Sequence, residues 1–307
     1  MFEKPAFAPT TTIGASRFFG PQPAPPPVEL RPTLVQSARI ICIASGKGGT
    51  GKSFVSATLA QQFAKEGKKT LLVDADFGLS DAHLYLGIKP QKDITALFNG
   101  LQGNDSVLLK GWNDLNYLYG GSGLANLAQL TPSQWEKVLK ALSYFEQRHS
   151  HIVVDLGAGI GPQVLPYLLC ADEVVLVANP DPVAMLDVFA TIKVLHKNNY
   201  SGTLYLVLNK SNTPRGEKAS SILKNAADKL TPSMPIYYLG PVAESLALLA
   251  ALKKRQPFLH LFPYDPACID LKKIAQKLLQ IEAARPMTAR TPYFQRVKRV
   301  TDPRETP

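Results

Sequence analysis

Short runs of apolar, mostly β-branched residues recur along the middle of the chain, separated by longer stretches with helical spacing. The runs IICIAS, KTLLVDAD, HIVVDLGAG, EVVLVANP, TLYLVLNKSN and MPIYYLGPV predict strands. Strands that are apolar on both faces are typical of a parallel sheet. The pattern predicts an α/β fold with a mostly parallel, doubly wound sheet and helices on both faces. The predicted helices include Ser53–Gly67, Pro132–Glu146, Pro182–His196 and Ser220–Leu230.

The two ends of the chain depart from this pattern. Residues 1–38 are rich in proline and threonine without an apolar period, which predicts a disordered arm acting as a tether or binding a partner domain. Residues 39–284 form the predicted domain, closed by a helix from Pro266 to Ala284. Residues 285–307 form a predicted basic tail. Its segment Tyr293–Val300 has the character either of a short amphipathic membrane anchor or of a solvated tail.

The composition, with 45% hydrophobic and 19% charged residues, is that of a soluble globular protein. No run approaches the roughly 20 apolar residues of a membrane span, and no basic and apolar secretory signal opens the chain. Cys42, Cys170 and Cys268 are far apart, which argues against a disulfide framework or a zinc or iron–sulfur site. We therefore expect a cytoplasmic protein.

The net charge of +10, with a pI of about 9.4, is a separate indication of function. A basic balance of this size favours an anionic partner, namely a nucleotide, a nucleic acid or an acidic membrane surface. Solubility alone explains it equally well. The charge limits the choice of partners without selecting one.

The segment GKGGTGKS (Gly46–Ser53) matches the phosphate-binding pattern G-x-x-x-x-G-K-[ST]. It follows a predicted strand and opens a predicted helix, as that motif requires. In such a loop the backbone N–H groups and the helix N-terminus bind phosphates. Lys52 is expected to reach the β- and γ-phosphates of ATP, and Ser53 to bind Mg²⁺. The predicted nucleotide-binding residues are Gly46, Lys47, Gly48, Gly49, Thr50, Gly51, Lys52 and Ser53.

Polar side chains follow several predicted strands. Asp74 and Asp76 end the second strand, Asp155 ends the third, and Asn209 ends a later one. The carboxyl ends of parallel strands face the crevice in which such sheets bind ligands. An isolated aspartate at a strand end is often only a helix cap or a turn residue, but three of them beside a phosphate loop favour a functional site. The Asn209 amide can donate to and accept from an adenine edge at once.

Lys47 is a second lysine in the loop, and with it the chain resembles the deviant Walker A ATPases of the MinD/ParA family. The resemblance covers about residues 39–284 and implies a P-loop NTPase fold of the SIMIBI class. It also implies that Lys47 enters the partner's nucleotide site when two ATP-bound subunits face each other. An ammonium there would stabilise the charge that builds on the phosphates as the bond breaks. The alternative is a solvated lysine.

The same resemblance implies roles for the strand-end residues. Asp155 is similar to the Walker B aspartate, which holds Mg²⁺ through water. Asp76 would orient or activate the attacking water, and Asp74 would support the metal region. Asn209 would bind the base. The segment Asp155–Gly161 resembles switch II, whose glycines permit a nucleotide-dependent rearrangement. The predicted catalytic residues are thus Lys47 and Asp76, and the predicted metal-binding residues are Ser53, Asp74 and Asp155.

Finer features resemble the branch of the family that contains MinD and the flagellar-number regulators of the FlhG group. They are Asp74–Ile88, similar to switch I, and Leu252–Phe258, LKKRQPF. The resemblance implies a slow, partner-stimulated ATP hydrolase that dimerises with ATP, docks on a membrane or flagellar component, and is released after hydrolysis. The implied partners are a second copy, an FlhF-like GTPase or a basal-body component, and the inner face of the cell membrane.

Two features depart from that family pattern. Phe54 replaces the small polar residue that often follows the loop serine, and the N-terminal arm lacks the element by which the FlhG group stimulates its partner GTPase. Two other functions remain open: a nucleotide-bound scaffold with negligible turnover, and a ParA-like partition or cargo-positioning ATPase that holds DNA. The DNA function, which we favour less, would use the basic residues Lys253, Lys254, Arg255, Arg296, Lys298 and Arg299.

Overall fold

The computed structural model describes residues 38–76, 80–97, 104–121, 131–283 and 291–301. The predicted disordered arm lies outside these residues except for Ala38. Eight strands of the described residues join into one sheet. In chain order they are β1 (Arg39–Ala44), β2 (Thr70–Ala75), β3 (Leu109–Lys110), β4 (Asn116–Leu118), β5 (His151–Leu156), β6 (Glu173–Ala178), β7 (Thr203–Asn209) and β8 (Ile236–Val242).

The strand order across the sheet is β3-β4-β2-β5-β1-β6-β7-β8. Neighbouring strands are parallel except for β3 and β4, which form a short antiparallel pair at one edge. β1, which leads into the glycine-rich loop, lies between β5 and β6. The register places Asp74 of β2 beside Asp155 of β5. The predicted α/β fold is confirmed, whereas the edge pair β3–β4 is not among the predicted strands.

Helices connect the strands. Between Leu86 and β4 lie the 3₁₀-helices Ile94–Leu97, Asn104–Val107 and Trp112–Asp114. The α-helices of the described residues are α1 (Lys52–Lys65), α2 (Ala82–Leu86), α3 (Pro132–Glu146), α4 (Leu165–Cys170), α5 (Pro182–Lys197), α6 (Thr213–Leu230), α7 (Ala247–Lys254), α8 (Phe258–Leu261), α9 (Pro266–Ala283) and α10 (Tyr293–Thr301). None of them combines the length and apolar character that a membrane span requires.

The helices cover both faces of the sheet. One apolar layer lies between the sheet and α3, α4, α5, α6 and α10. The other lies between the sheet and α1, α2, α7, α8 and α9. Because successive side chains of a strand point to opposite faces, Ile40 of β1 packs in the first layer and Ile41 in the second. The structure is doubly wound, as the sequence predicts.

Helix α6 begins at Thr213, well before the predicted start at Ser220. Asn212 caps it, since its Oδ1 accepts a hydrogen bond from the backbone N–H of Arg215 at 3.1 Å. Pro214 lies in the first turn, where a proline removes no intrahelical hydrogen bond. The predicted start at Ser220 was therefore wrong, because the helix already begins before Pro214 and a proline in the first turn is compatible with a helix.

The C-terminal helix α10 packs against α3 and α4. Its side chains Tyr293, Phe294 and Val297 are buried. The Glu146 carboxylate, at the end of α3, accepts hydrogen bonds from the backbone N–H groups of Tyr293 at 2.8 Å and Phe294 at 3.3 Å. The prediction of a solvated tail is therefore wrong for residues 293–301, because their apolar side chains close one layer of the core. A membrane anchor would need those same side chains.

Candidate functional site

The loop Gly46–Ser53 connects β1 to the first turn of α1. Gly51 has a φ of 86°, in the left-handed region that favours glycine. Gly46 lies against α5, where an added Cβ atom would clash with the Cβ of Asp187 at 2.5 Å. The backbone conformation requires glycine at position 51, and close packing requires glycine at position 46. The loop is thereby held at the carboxyl end of the central strand, where parallel sheets bind ligands.

Lys52, the first residue of α1, is surrounded by polar groups. Its Nζ lies 2.8 Å from Asp155 Oδ1, 3.3 Å from Ser53 Oγ and 3.9 Å from Asp76 Oδ2. Burial is the largest single influence and lowers the pKa of Lys52, but the charge and hydrogen bond of Asp155, together with the charges of Asp76 and Asp74, outweigh it, so the pKa is raised. The ammonium is therefore charged although the side chain is only 7% exposed. A buried charged group of this kind is suited to binding phosphate oxygens.

Asp74 and Asp155 are both fully buried. Burial, and next the charge of Asp155, raises the pKa of Asp74 to about 7. Burial likewise raises the pKa of Asp155, and Lys52 opposes that shift. Both oxygens of Asp74 accept hydrogen bonds, Oδ2 from the Tyr117 hydroxyl at 2.9 Å and Oδ1 from the Asp76 N–H at 3.3 Å. Asp74 is thus held by the protein itself.

Asp155 differs from Asp74 because only one of its two carboxylate oxygens has a hydrogen-bond partner among the described residues. Its Oδ2 is buried and has no hydrogen-bond partner among the described residues, and the same holds for Thr50 Oγ1 in the loop. Such buried polar atoms usually have a partner, and a phosphate, a metal ion or its water would supply one here. No three His, Cys, Asp or Glu side chains of the described residues form a metal cluster. The free oxygen of Asp155 beside the phosphate loop fits Mg²⁺, which keeps waters and binds phosphates besides one or two carboxylates.

Asp76 lies just beyond the end of β2 and is more accessible than the other two aspartates, with its side chain 25% exposed. Ser80 Oγ donates a hydrogen bond to the Asp76 carbonyl oxygen at 2.9 Å. Residues 77–79, in the segment that resembles switch I, lie outside the described residues. The structure therefore brings Asp76 to the edge of the site, beside Lys52.

Asn209, at the end of β7, is buried. Its Nδ2 donates a hydrogen bond to the Thr50 carbonyl oxygen at 2.8 Å, which fastens the loop to β7. A Cβ atom at Gly51 would collide with the Asn209 amide, a second reason for glycine at that position. Contact between Asn209 and a nucleotide base stays a prediction.

Lys47 contacts α5, unlike Lys52. Its Nζ lies 3.5 Å from Asp181 Oδ1, and both side chains are more than a third exposed. Asp181 also caps α5 by accepting a hydrogen bond from the Ala184 N–H at 2.9 Å. That hydrogen bond, and to a smaller extent Lys47, lowers the pKa of Asp181. An exposed ion pair contributes about 0–1 kcal/mol, so Lys47 can readily exchange this partner for another.

Sequence analysis missed two residues of this site. Asp181 precedes Pro182 at the start of a predicted helix, so its capping role could have been predicted from the sequence. Its proximity to Lys47 could not, because no local pattern indicates it. Tyr117 lies in a strand of three residues, too short for a periodic pattern. Its hydrogen bond to Asp74 depends on the pairing of β4 with β2.

Phe54, the residue that departs from the family pattern, is buried in the second apolar layer. Its ring centroid lies 5.8 Å from that of Tyr85 on α2 and 5.5 Å from that of Phe258 on α8. The aromatic ring therefore fills the space between α1, α2 and α8. The first turn of α1 is packed directly against both of those helices.

A phosphate-loop motif after the central strand of a parallel sheet, with a buried lysine and neighbouring strand-end carboxylates, defines a P-loop nucleotide-binding protein. Residues 41–258 match the model of the CobQ/CobB/MinD/ParA nucleotide binding domain. The chain belongs to this family, and its MinD/ParA members are P-loop ATPases.

Two curated relatives match most of the chain, and one of them is connected with flagella by name. The antiactivator FleN of Pseudomonas aeruginosa is 29% identical over 241 residues, which cover 78% of this chain and 86% of FleN. The flagellum site-determining protein YlxH of Helicobacter pylori is 32% identical over 252 residues, covering 79% and 82% of the two chains. The resemblance to the MinD/ParA family, and to its flagellar branch, is confirmed.

A solved structure shows the same fold. It is the septum site-determining protein MinD of Pyrococcus horikoshii, complexed with Mg-ADP. The TM-score is 0.61 at 21% identity, and the match covers 82% of this chain and all of that chain (100%).

Proposed function

We propose that this protein is an ATP-dependent dimerising switch whose hydrolysis is slow until a partner stimulates it. The observation that carries the proposal is the different placement of the two loop lysines. Lys52 is buried against Asp155, whereas Lys47 lies in an exposed pair with Asp181. A buried lysine serves the phosphates of its own subunit, and an exposed lysine with a weak partner is free to serve a second subunit.

ATP and Mg²⁺ are the proposed cofactors, and the solved relative complexed with Mg-ADP supports them. The backbone N–H groups of residues 46–53 and the Lys52 ammonium would hold the phosphates. Binding requires Lys52 to exchange part of its contact with Asp155 for phosphate oxygens. Ser53 and Asp155 would hold Mg²⁺, which supplies positive charge at the phosphates, and Asp74 would support Asp155 from the neighbouring strand.

Asp76 is proposed to orient the attacking water, because among the three strand-end carboxylates its side chain is the most accessible, at 25%. Lys47 of a second subunit would stabilise the charge that develops on the phosphates. Asn209 is proposed to bind the base while it fastens the loop. The catalytic pair is thus divided between two chains, so dimerisation controls hydrolysis.

The biological role we propose is control of the number or placement of flagella, supported by the similarity to the flagellum site-determining protein YlxH. The proposed partners are a second copy of the chain and an FlhF-like GTPase or basal-body component. The proposed location is the cytoplasm, with peripheral contact at the inner face of the cell membrane. Contact through the basic C-terminal segment would require α10 to leave α3 and α4, which exposes Tyr293, Phe294 and Val297.

The DNA-binding alternative is less favoured because its basic residues are separated. Lys253, Lys254 and Arg255 belong to the layer of α7 and α8, whereas α10 packs on the other face of the sheet. Arg296 of α10 is also paired with Asp172 at 3.0 Å. One DNA duplex would not reach both groups on the same copy. Salt-sensitive, ATP-dependent retention of DNA would reverse this preference.

The test is ATP binding, dimerisation and phosphate release by the full-length chain. Lys47→Ala should bind ATP but lose ATP-dependent dimerisation or stimulated hydrolysis, and Asp76→Ala should bind ATP without hydrolysing it. Lys89→Ala, which removes another exposed lysine, is the matched control. Unchanged dimerisation and turnover in Lys47→Ala would contradict the proposal. Absence of phosphate release with every candidate stimulator would favour a nucleotide-bound scaffold.

A further inference from the structure

Three of the most exposed apolar side chains of the described residues lie near α7. Leu246, just before the helix, is 86% exposed, Leu249 on its first turn is 60% exposed, and Tyr264 is 88% exposed. Ser245 Oγ donates a hydrogen bond to Asp265 Oδ2 at 2.7 Å, which holds the segments of Leu246 and Tyr264 together. We name this region the α7 surface; it consists of Leu246, Leu249, Tyr264, Lys253, Lys254 and Arg255.

The α7 surface changes from apolar to basic along the helix. Leu246, Leu249 and Lys253 are spaced three and four apart, so they lie on one side of α7. Lys253, Lys254 and Arg255 are exposed, and none of them is within ion-pair distance of a carboxylate of the described residues. The exposed Glu244 lies at the opposite end. Three positive charges outnumber the two carboxylates of Glu244 and Asp265, so the region is net positive by one charge, and both carboxylates lie away from its basic end.

We propose that the α7 surface docks an acidic amphipathic segment of a partner protein. Apolar residues of that segment would cover Leu246, Leu249 and Tyr264, and its carboxylates would meet the basic end of α7. Clustered apolar side chains on a surface mark interaction sites, and complementary charge selects the partner. Amphipathic helices bind such surfaces through apolar residues spaced three or four apart.

Two other occupants fit the α7 surface less well. Polybasic segments that bind anionic lipid carry about four to eight lysines and arginines, and this surface has three. A second copy docked through the same surface would bring one net positive region against another. An acidic amphipathic segment complements both the apolar part and the basic part of the surface.

Packed side chains connect the α7 surface with the nucleotide loop. Phe54, next to Ser53, contacts α2 and α8 through the aromatic pairs with Tyr85 and Phe258. Gly87, at the end of α2, lies against the last turn of α7, where an added Cβ would be 2.8 Å from the Arg255 carbonyl oxygen. This link rests on the proposed function: if ATP shifts α2, it alters docking, and docking then alters ATP affinity by the same factor.

The experiment is a selection for binding to the full-length chain from a library of random peptides about 16 residues long, roughly four helical turns. The expected peptides carry Leu, Ile or Phe at helical spacing together with Asp or Glu. Fluorescence anisotropy of a selected peptide should show affinity weakened about tenfold or more by Leu249→Asp, and likewise by Lys253→Glu with Arg255→Glu. Leu230→Asp, which alters an exposed leucine of α6, should keep wild-type affinity. Equal melting temperatures of Leu249→Asp and Leu230→Asp establish that both fold.

Several results would overturn the proposal. They are selected peptides that lack acidic residues or bind Leu249→Asp unchanged, and a selection that yields no binder. Pelleting with phosphatidylglycerol vesicles that is lost in Leu249→Asp would identify a lipid surface instead, and self-association lost in that variant would identify a second copy.

The link to the nucleotide has its own test. ATP should change peptide affinity about fivefold or more in the wild type and leave it unchanged in Lys52→Ala. An unchanged affinity with ATP bound would refute the link. Failure of the wild type to bind ATP would refute the proposed function instead, while peptide affinity without nucleotide would still test the α7 surface.

Discussion

Lys47 Nζ lies 3.5 Å from Asp181 Oδ1, so the lysine proposed to act in a second subunit is paired within its own chain. The pair competes with the proposed dimer contact because one ammonium cannot satisfy both sites at full strength. The competition is modest, since exposed ion pairs contribute about 0–1 kcal/mol.

Asp181→Asn is expected to favour the ATP-bound dimer, by up to about fivefold in the dimerisation constant. The asparagine oxygen can still cap α5, so helix stability should be kept. Sedimentation velocity with ATP measures the constant. Asp228→Asn, which removes an exposed charge from α6, is the control. Weaker dimerisation of Asp181→Asn would mean that Asp181 belongs to the dimer contact itself.

Tyr117→Phe removes the hydrogen bond to Asp74 while keeping the ring in place. The loss should lower the free energy of unfolding by about 1–2 kcal/mol, because Asp74 is fully buried. We also expect a higher Mg²⁺ concentration for half-maximal ATP hydrolysis, since Asp74 supports the proposed metal site. Urea unfolding and phosphate release at varied Mg²⁺ measure the two effects. Tyr119→Phe, two residues along, should change neither.

His151→Gln tests the buried, neutral imidazole at the start of β5. Burial lowers the pKa of His151 to about 4, and the positive charges of Arg39 and Lys68 lower it further. The Glu282 carboxylate, whose Oε2 lies 3.1 Å from His151 Nε2, opposes this shift. The unfolded value is about 6.5, so between about pH 6.5 and pH 4 the unfolded chain binds more protons. Stability contributed by neutral His151 is present above pH 6.5 and falls by up to about 3 kcal/mol as the pH drops.

Urea midpoints at neutral pH and near pH 5 measure this dependence on the full-length chain. His151→Gln should flatten the loss of stability toward acid pH, because glutamine does not titrate. Gln147→Ala, which changes an exposed residue and adds no titratable group, should keep the wild-type slope. Equal slopes for wild type and His151→Gln would show that other groups cause the acid sensitivity.

Phe294→Ala tests the docking of α10. The ring is 1% exposed within the layer of α3 and α4, and truncation of such a residue lowers the free energy of unfolding by about 3–5 kcal/mol. The neighbouring Gln295 is exposed, so Gln295→Ala should change it by less than about 0.5 kcal/mol. Urea unfolding compares the two. Similar values would mean that α10 is not docked in solution.

The sheet and the loop were predictable because their signals are local. The runs of β1, β2 and β5–β8 are continuously apolar, and GKGGTGKS has a fixed spacing between strand and helix. The side chains Asp74 and Asp155 were expected at one edge of the sheet, and the register places them side by side.

The remaining features depend on contacts between distant segments. Tyr117 reaches Asp74 only because β4 pairs with β2, and α10 is held by Glu146, far away in the sequence. Phe54 looked like a departure within the phosphate loop, yet its ring packs between helices that the apolar pattern did not predict. Tertiary packing decides such positions, and a single sequence carries little local signal for them.

The docked C-terminal helix has a practical consequence for truncation experiments. Removing Tyr293–Thr301 to test membrane contact would deprive the Glu146 carboxylate of the two N–H groups that it binds. The same truncation would uncover the apolar layer that Phe294 and Val297 help to close. Altered localisation of the truncated chain would then report a damaged core as readily as a lost anchor, whereas Arg299→Glu changes an exposed charge and leaves those contacts alone.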